Sequence, residues 1–200
     1  MKKTLTLKYF ADKNTVQTAK NLLGKFLARR YKSKTKTYLI TEVEAYDGFR
    51  DKASHAHKGM TERNKIMFGP AGYWYVYLTY GMHWMLNIVT GPAHYPAAIL
   101  ISGIRVYPFT PLDRPRRVLS SNGASPRLSA SILNGPAKLT KALHINKNLN
   151  SQPANKKSGL WIADGGLKIK PNQIKSAPRI GVDYAGPVWS KKKWRFYLNK

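Results

Sequence analysis

The sequence predicts a single α+β domain, a curved and mostly antiparallel sheet with peripheral helices and one protruding hairpin. Three observations carry that expectation. Residues 40–46, 73–79 and 84–89 alternate β-branched or aromatic positions with polar ones, the period of half-buried strands. Tyr80-Gly81 marks a tight turn between the last two. Residues 97–106 are apolar almost throughout, as in a strand covered on both faces. No repeat and no break in composition divides the 200 residues, so one domain is expected over 1–200.

Taken in order, the first eight residues alternate like a short strand and lack the apolar stretch of a signal peptide. Asp12 or Asn14 is placed to cap a helix through about Arg30, with Val16, Ala19, Leu22, Leu23, Phe26 and Leu27 on one face. A basic turn over 31–36 leads to strand 40–46, on which Glu42, Glu44 and Tyr46 share a face because strand side chains alternate. Asp47-Gly48 ends it, and a polar crossing holding His55 and His57 follows. Residues 61–70 read as a loop or short helical turn, stopped by Gly69-Pro70.

Beyond the hairpin and strand 97–106 come a turn from Pro108 to Pro111, a short basic helix over 113–119 and a loop rich in Ser, Asn and Gly over 120–131. Asn134-Gly135-Pro136 opens a helix through Leu143, whose positive end, with Lys138 on its first turn, is suited to a phosphate. Residues 146–158 form a polar loop, and short strands are expected at 160–163, 167–169, 179–182 and 194–198.

Charge narrows the partners. Against 35 Lys and Arg stand 9 Asp and Glu, a net charge of +26. Such a surface calls for a polyanion, and phosphate backbone fits best. An anionic membrane would require a basic amphipathic helix that the core does not need, and none is present. No apolar run approaches the ~18 residues of a membrane span, so a soluble protein is expected. The chain has no cysteine, which excludes disulfides, thiolate metal sites and Cys nucleophiles and agrees with a cytoplasmic location.

Five of the nine carboxylates, Glu42, Glu44, Asp47, Asp51 and Glu62, fall between 42 and 62, and six aromatics lie between Tyr73 and Trp84. In so basic a chain that juxtaposition suggests a site. A carboxylate on a strand, an aromatic wall and an aromatic turn match the needs of base extrusion. The tip replaces the departed base, the pocket receives it, and one carboxylate activates water for attack at the sugar C1′. Two other readings stay open. The aromatic strands suit a non-enzymatic nucleic-acid binder with a stacking platform. His55 and His57, with Glu44 or Asp51, suit a metal-dependent nuclease. Tyr73 and Tyr75 read as core, and Glu42 as a structural or ion-pairing group.

Glu42-Val43-Glu44-Ala45-Tyr46, Ala53-Ser54-His55, Thr61-x-Arg63-Asn64-x-x-Met67-Phe68, Tyr75-Val76-Tyr77-x-x-Tyr80-Gly81-Met82 and Asn87 resemble the alkyladenine (3-methyladenine) DNA glycosylase family of the mammalian and Bacillus type. Asn134-Gly135-Pro136-Ala137-Lys138-Leu139, Arg179-Ile180-Gly181 and Trp194-Arg195-Phe196-Tyr197 continue the match, which is collinear over nearly the whole chain. The resemblance implies that Glu44 is the general base. It makes Tyr46 and Tyr77, helped by His55, the sandwich around the flipped base, with the Ala53 amide bonded to the purine edge. Asn87 would exclude guanine, and Tyr80 would intercalate, flanked by Met82 and His83, with Arg63 and Lys138 as further DNA contacts. It also implies a monofunctional enzyme without metal or cofactor, acting as a monomer on damaged duplex DNA. The substrates would be alkylated or deaminated purines, and a cationic alkylated base would gain about 0.5–2 kcal/mol from the aromatic walls. The chain departs from the family's usual Leu-x-Arg-Ala-x-Glu-Pro at Leu100-Ile101-Ser102-Gly103-Ile104-Arg105-Val106, where Ser102 replaces an Arg and the acid is lost.

Overall fold

Residues 3–11, 14–106 and 132–199 are described by a computed structural model. The chain opens on a two-residue strand, β1 (Lys3–Thr4), and a single helical turn, α1 (Leu7–Phe10). Helix α2 (Thr15–Leu22) follows, its first turn capped by Asn14, whose side chain accepts the Gln17 N–H. Asp12 lies outside the described residues.

The helix does not continue to Arg30. Leu23 is already extended and Gly24 sits at φ +80°, so the backbone turns back and enters strand β2 (Phe26–Tyr31). Phe26 and Leu27 are buried, but as strand residues. Their spacing from Leu22 and Leu23 imitates a helical face because both elements cover the same core.

Strand β3 (Lys34–Asp47) is the spine of the molecule. Its first half pairs with β2, and from Glu42 to Glu44 it pairs with the distant strand β10 described below. Next come the aromatic strands β4 (Trp74–Thr79) and β5 (His83–Thr90), an antiparallel hairpin, and the buried strand β6 (Ala97–Val106). The turn at 108–111, helix at 113–119 and loop at 120–131 fall outside the described residues. Strand β7 (Ile132–Asn134) leads into helix α3 (Pro136–Ala142).

The last third contributes β8 (Leu160–Asp164), β9 (Ile174–Ala177), helix α4 (Gly186–Ser190) and β10 (Arg195–Leu198). Residues 167–169 and 179–182 are not strands. Ile169 closes over Gly24, where a Cβ would meet its Cγ1 at 2.5 Å, and the Arg179 side chain turns into the interior. Short alternation in both stretches reflects single anchoring residues rather than a ladder.

One sheet results, ordered β1-β8-β2-β3-β6-β5-β4, with β10 beside β3, β9 beside β10 and β7 beside β6; every described pair is antiparallel. The main core fills the face covered by α2 and α3, where Ile40, Val43, Trp74, Leu86, Ile99 and Ile101 are buried. A smaller cluster of Ala56, Met67, Phe68, Tyr75, Val89 and Ala98 backs the opposite face. On β3 this division sends Val43 and Ala45 into the main core and turns Glu44 and Tyr46 to the other side. The β3–β6 register slips at Thr41 and Ser102, a bulge that brings the chains so close that a Cβ on Gly103 would lie 2.8 Å from that of Glu42. No helix among the described residues is long and apolar enough to cross a membrane.

Candidate active site

Glu44 is 2% exposed, yet both its oxygens are engaged. Oε2 accepts from the Tyr46 hydroxyl at 2.8 Å, and Oε1 accepts from the backbone N–H of Ile180 at 3.2 Å. Burial pushes the carboxyl above its ordinary pKa. The Tyr46 hydroxyl, the Ile180 amide and the cation of Arg195 pull it back, while Glu42 adds to the rise. Glu42 has its own partner, Arg195 Nη1 at 3.2 Å. Glu44 is thus an ionisable acceptor with no cation in direct contact among the described residues, and Glu42 is the ion-paired neighbour that the sequence suggests.

A cleft of about 630 Å³ opens over Glu44. Tyr46, Tyr77, His55 and Asn87 all line it, so the residues expected around a flipped base do converge. Tyr77 and Tyr75 are tilted rings 5.0 Å apart, and His55 meets Tyr77 edge-on at 4.7 Å. Tyr75, expected as core, is both buried and part of the cleft wall. Its hydroxyl lies 3.0 Å from His55 Nδ1, and its carbonyl accepts from Asn87 Nδ2 at 3.1 Å. Desolvation drives the Tyr75 phenol up to about 12 and Tyr77 higher still; it pulls the His55 imidazole down, with Arg63 adding to that fall. Both phenols therefore stay protonated, and His55 is neutral at about pH 7.

Ala53 lines the cleft, but its N–H does not point to a free acceptor site. It donates to Asp51 Oδ1 at 3.1 Å, and the Ala53 carbonyl accepts from the Tyr184 hydroxyl at 2.9 Å. The amides of Ser54, Ala56 and His57 are also engaged. That of His55 has no acceptor among the described residues. This lip of the cleft is fixed by Asn64, which donates to the carbonyls of His55 and Gly59 at 2.9 and 3.0 Å. Behind it stands a fully buried ion pair, Asp51 with Arg179.

Tyr80, at the hairpin tip, is 85% exposed and still borders the cleft. Tyr80 and Gly81 both have positive φ, +51° and +67°, and the Met82 N–H closes the turn on the Thr79 carbonyl at 3.1 Å. A glycine suits that conformation; a tyrosine adopts it under strain. Met82, 68% exposed, and His83 lie beside the tip and outside the cleft. Arg63 stacks its guanidinium 4.9 Å from the Tyr77 ring and donates to the Leu78 carbonyl at 2.9 Å, bracing the hairpin rather than lining the cleft. Lys138 is exposed on α3; Gly135 and Pro136, just before it, reach the cleft instead.

His55 and His57 face different partners, since His57 Nδ1–H donates to the Phe49 carbonyl at 2.8 Å. Asp51 is taken by Arg179. Among the described residues no three His, Asp or Glu side chains gather as a metal site would require. Sequence reasoning missed Ile180, Tyr184 and the functional placement of Arg179. A backbone amide leaves no mark in a sequence; the clustering of acids singles out Asp51, but nothing in the residue types names Arg179 as its partner.

A sequence model described as methylpurine-DNA glycosylase (MPG) matches residues 9–200. A protein of Methanocella arvoryzae, provisionally named 3-methyladenine DNA glycosylase, is 42% identical over 94% of this chain and 89% of its own length. Proteins with the same provisional name from Streptomyces avermitilis and Legionella pneumophila are 36% and 37% identical. They cover 98% and 96% of this chain and 87% and 93% of their own lengths.

Proposed function

The chain belongs to the methylpurine-DNA glycosylase family, and we propose that, as a DNA glycosylase of this type, it excises alkylated or deaminated purines by means of Glu44. The observation that carries the reading is a single buried carboxylate, with a raised affinity for a proton, on the floor of a cleft walled by Tyr46, Tyr77 and His55. A volume of about 630 Å³ accommodates a nucleobase with its sugar.

The proposed steps are these. Tyr80 enters the stack as the lesion leaves it, replacing contacts whose loss costs a few kcal/mol. The purine slides between Tyr46 and Tyr77, and its edge meets the His55 amide. Asn87, held in place by its Nδ2–H donating to the Tyr75 carbonyl, fills the space that the exocyclic amino group of guanine would need and disfavours it by bulk. Glu44 takes the proton of a water that attacks C1′ as the glycosidic bond breaks. A cationic base such as 3-methyladenine or 7-methylguanine leaves unaided; hypoxanthine or ethenoadenine needs a proton or hydrogen bonds as it leaves. The product is an abasic site in an unbroken strand. Duplex DNA is the partner, the acting species is a monomer, and the reaction takes place in the cytoplasm without a cofactor.

The test is direct. Duplexes carrying ethenoadenine, hypoxanthine or methylated purines are incubated with the protein, then treated with alkali. Strand breaks should appear at the lesion after alkali alone. No break with any lesion would sink the reading, and breaks before alkali would contradict its monofunctional part. Binding without excision would favour the aromatic stacking platform.

A further inference from the structure

We propose that Arg179 is a positioning residue that aligns the base sandwich and the catalytic carboxylate together, through Tyr46 on one side and the Ile180 amide on the other. The proposal rests on the glycosylase reading above. Arg179 does not border the cleft, and its side chain, like that of Asp51, is 0% exposed.

Its contacts reach β3, the Asp51 turn and the Trp194 ring. Nη1 and Nη2 fork onto the two oxygens of Asp51, and Nη1 also donates to the Ala45 carbonyl at 2.8 Å, between Glu44 and Tyr46. The guanidinium lies between two rings, 4.8 Å from Tyr46 and 5.2 Å from Trp194. Nε is buried and has no hydrogen-bond partner among the described residues. Asp51 extends the grip by accepting the N–H groups of Asp47 and Ala53, each at 3.1 Å. The residue next to Arg179 is Ile180, whose N–H reaches Glu44. One buried fork thus holds a sandwich wall, the lip of the cleft and a donor to the general base.

Stability alone is a poor reason for such a group. A buried ion pair returns little more than its desolvation costs, and apolar residues of equal volume often serve a fold as well. What apolar residues lack is angular definition, which the planar fork supplies. The groups that face Glu44 are Tyr46 and Glu42 on β3, Arg195 on β10, Tyr77 on β4 and the Ile180 amide. Of these, Arg179 controls the orientation of the Tyr46 ring and the placement of the amide. If it is loosened, both hydrogen bonds to Glu44 weaken and its carboxylate is harder to keep ionised.

Arg179→Lys tests this. Lysine keeps a cation beside Asp51 but loses the fork, the flat stack on Tyr46 and the geometry at Ala45. Single-turnover excision should fall at least about tenfold, and its acid limb should move to higher pH, with binding to undamaged duplex within about twofold of wild type. Asp51→Asn, which keeps the shape and halves the fork, should move the same limb the same way. Excision within about twofold of wild type and an unmoved limb, in a folded variant, would overturn the proposal and leave the glycosylase reading intact. Failure of both variants to fold would overturn it too, since the pair would then be holding the fold rather than the site. A wild-type protein that excises nothing would instead strike the reading on which the proposal rests.

Discussion

The Tyr46 hydroxyl donates to Glu44 Oε2 across 2.8 Å, two residues along one strand. The same side chain therefore offers its ring to the cleft and its hydroxyl to the carboxylate below. The bond favours the ionised form of Glu44 against the opposing effect of burial. Tyr46→Phe keeps the ring and deletes the bond, so the acid limb of excision should move to higher pH. The loss should be largest at the acid end of the profile, on the order of tenfold, and much smaller at its alkaline end, where the carboxylate ionises regardless. An equal loss at every pH would mean that the hydroxyl acts on the base instead.

Glu44→Gln should cost at least about a hundredfold in excision while leaving duplex binding in place, because an amide cannot accept the water's proton. It should also stabilise the fold. Glu44 has a folded-state pKa above the ordinary 4.5, so its charge destabilises the protein at any pH above that folded value. The cost fades as pH falls through the folded pKa and is gone below the unfolded one. A gain of a few degrees in Tm near pH 8 should therefore shrink near pH 4. A gain of the same size at both would show that packing rather than charge is responsible.

Tyr80→Asn should separate stability from activity. Asparagine accepts positive φ more readily than tyrosine, and an 85% exposed ring contributes little packing, so the fold should gain up to about 1 kcal/mol. Excision from a well-stacked pair should slow, and a lesion in a mismatch, already loosely stacked, should suffer less. Ethenoadenine brightens when unstacked, so its fluorescence on binding reports the flipped population. A variant that is less stable than wild type would show that the ring packs after all; one that flips normally would move the wedge to Met82.

Arg63→Gln addresses lesion choice. The Tyr77 ring is already engaged by the Arg63 guanidinium, 4.9 Å from its centroid and outside the cleft lining, and an aromatic ring engaged by one cation attracts a second less. Removing it should raise the ratio of 7-methylguanine to ethenoadenine excision roughly threefold, whatever happens to DNA affinity. An unchanged ratio would dismiss any influence of the guanidinium on base charge.

With a net charge of +26, binding to undamaged duplex should weaken steeply with salt. The log–log slope should be about −0.9 for each phosphate neutralised, measured between about 50 and 200 mM. A flat response would leave the charge without its expected partner.

Part of the cleft was legible from residue types. Glu44 and Tyr46 stand out because strand alternation places them on one face and because acids are rare in this chain, whereas Tyr77, on a different strand, is assigned to the pocket only by the family resemblance. Tyr80 is legible because it stands beside the glycine of a hairpin turn. The helix drawn through Arg30 fails at Gly24, where a backbone turn outweighs an apolar rhythm that both elements share. The strand expected at 179–182 fails because Arg179 is buried by charge pairing and not by hydrophobicity, so the rule that reads burial from apolar residues passes over it. Ile180 contributes through its amide, which every residue except proline has. Nothing in its identity distinguishes it.

The change of neighbour along β3, from β2 to β10, has a consequence for the order in which competence is acquired. Glu44 lies in the stretch where its partner strand arrives from the far end of the chain, with Arg195 opposite it and the Ala45 N–H donating to the Trp194 carbonyl. A growing polypeptide on the ribosome makes the aromatic hairpin early, from neighbouring segments, and with it many of the cations that attract nucleic acid. The stretch of β3 that carries Glu44 gains this neighbour only once β10 has been made, so on the proposed reading excision would be acquired last, after most of the sheet is in place.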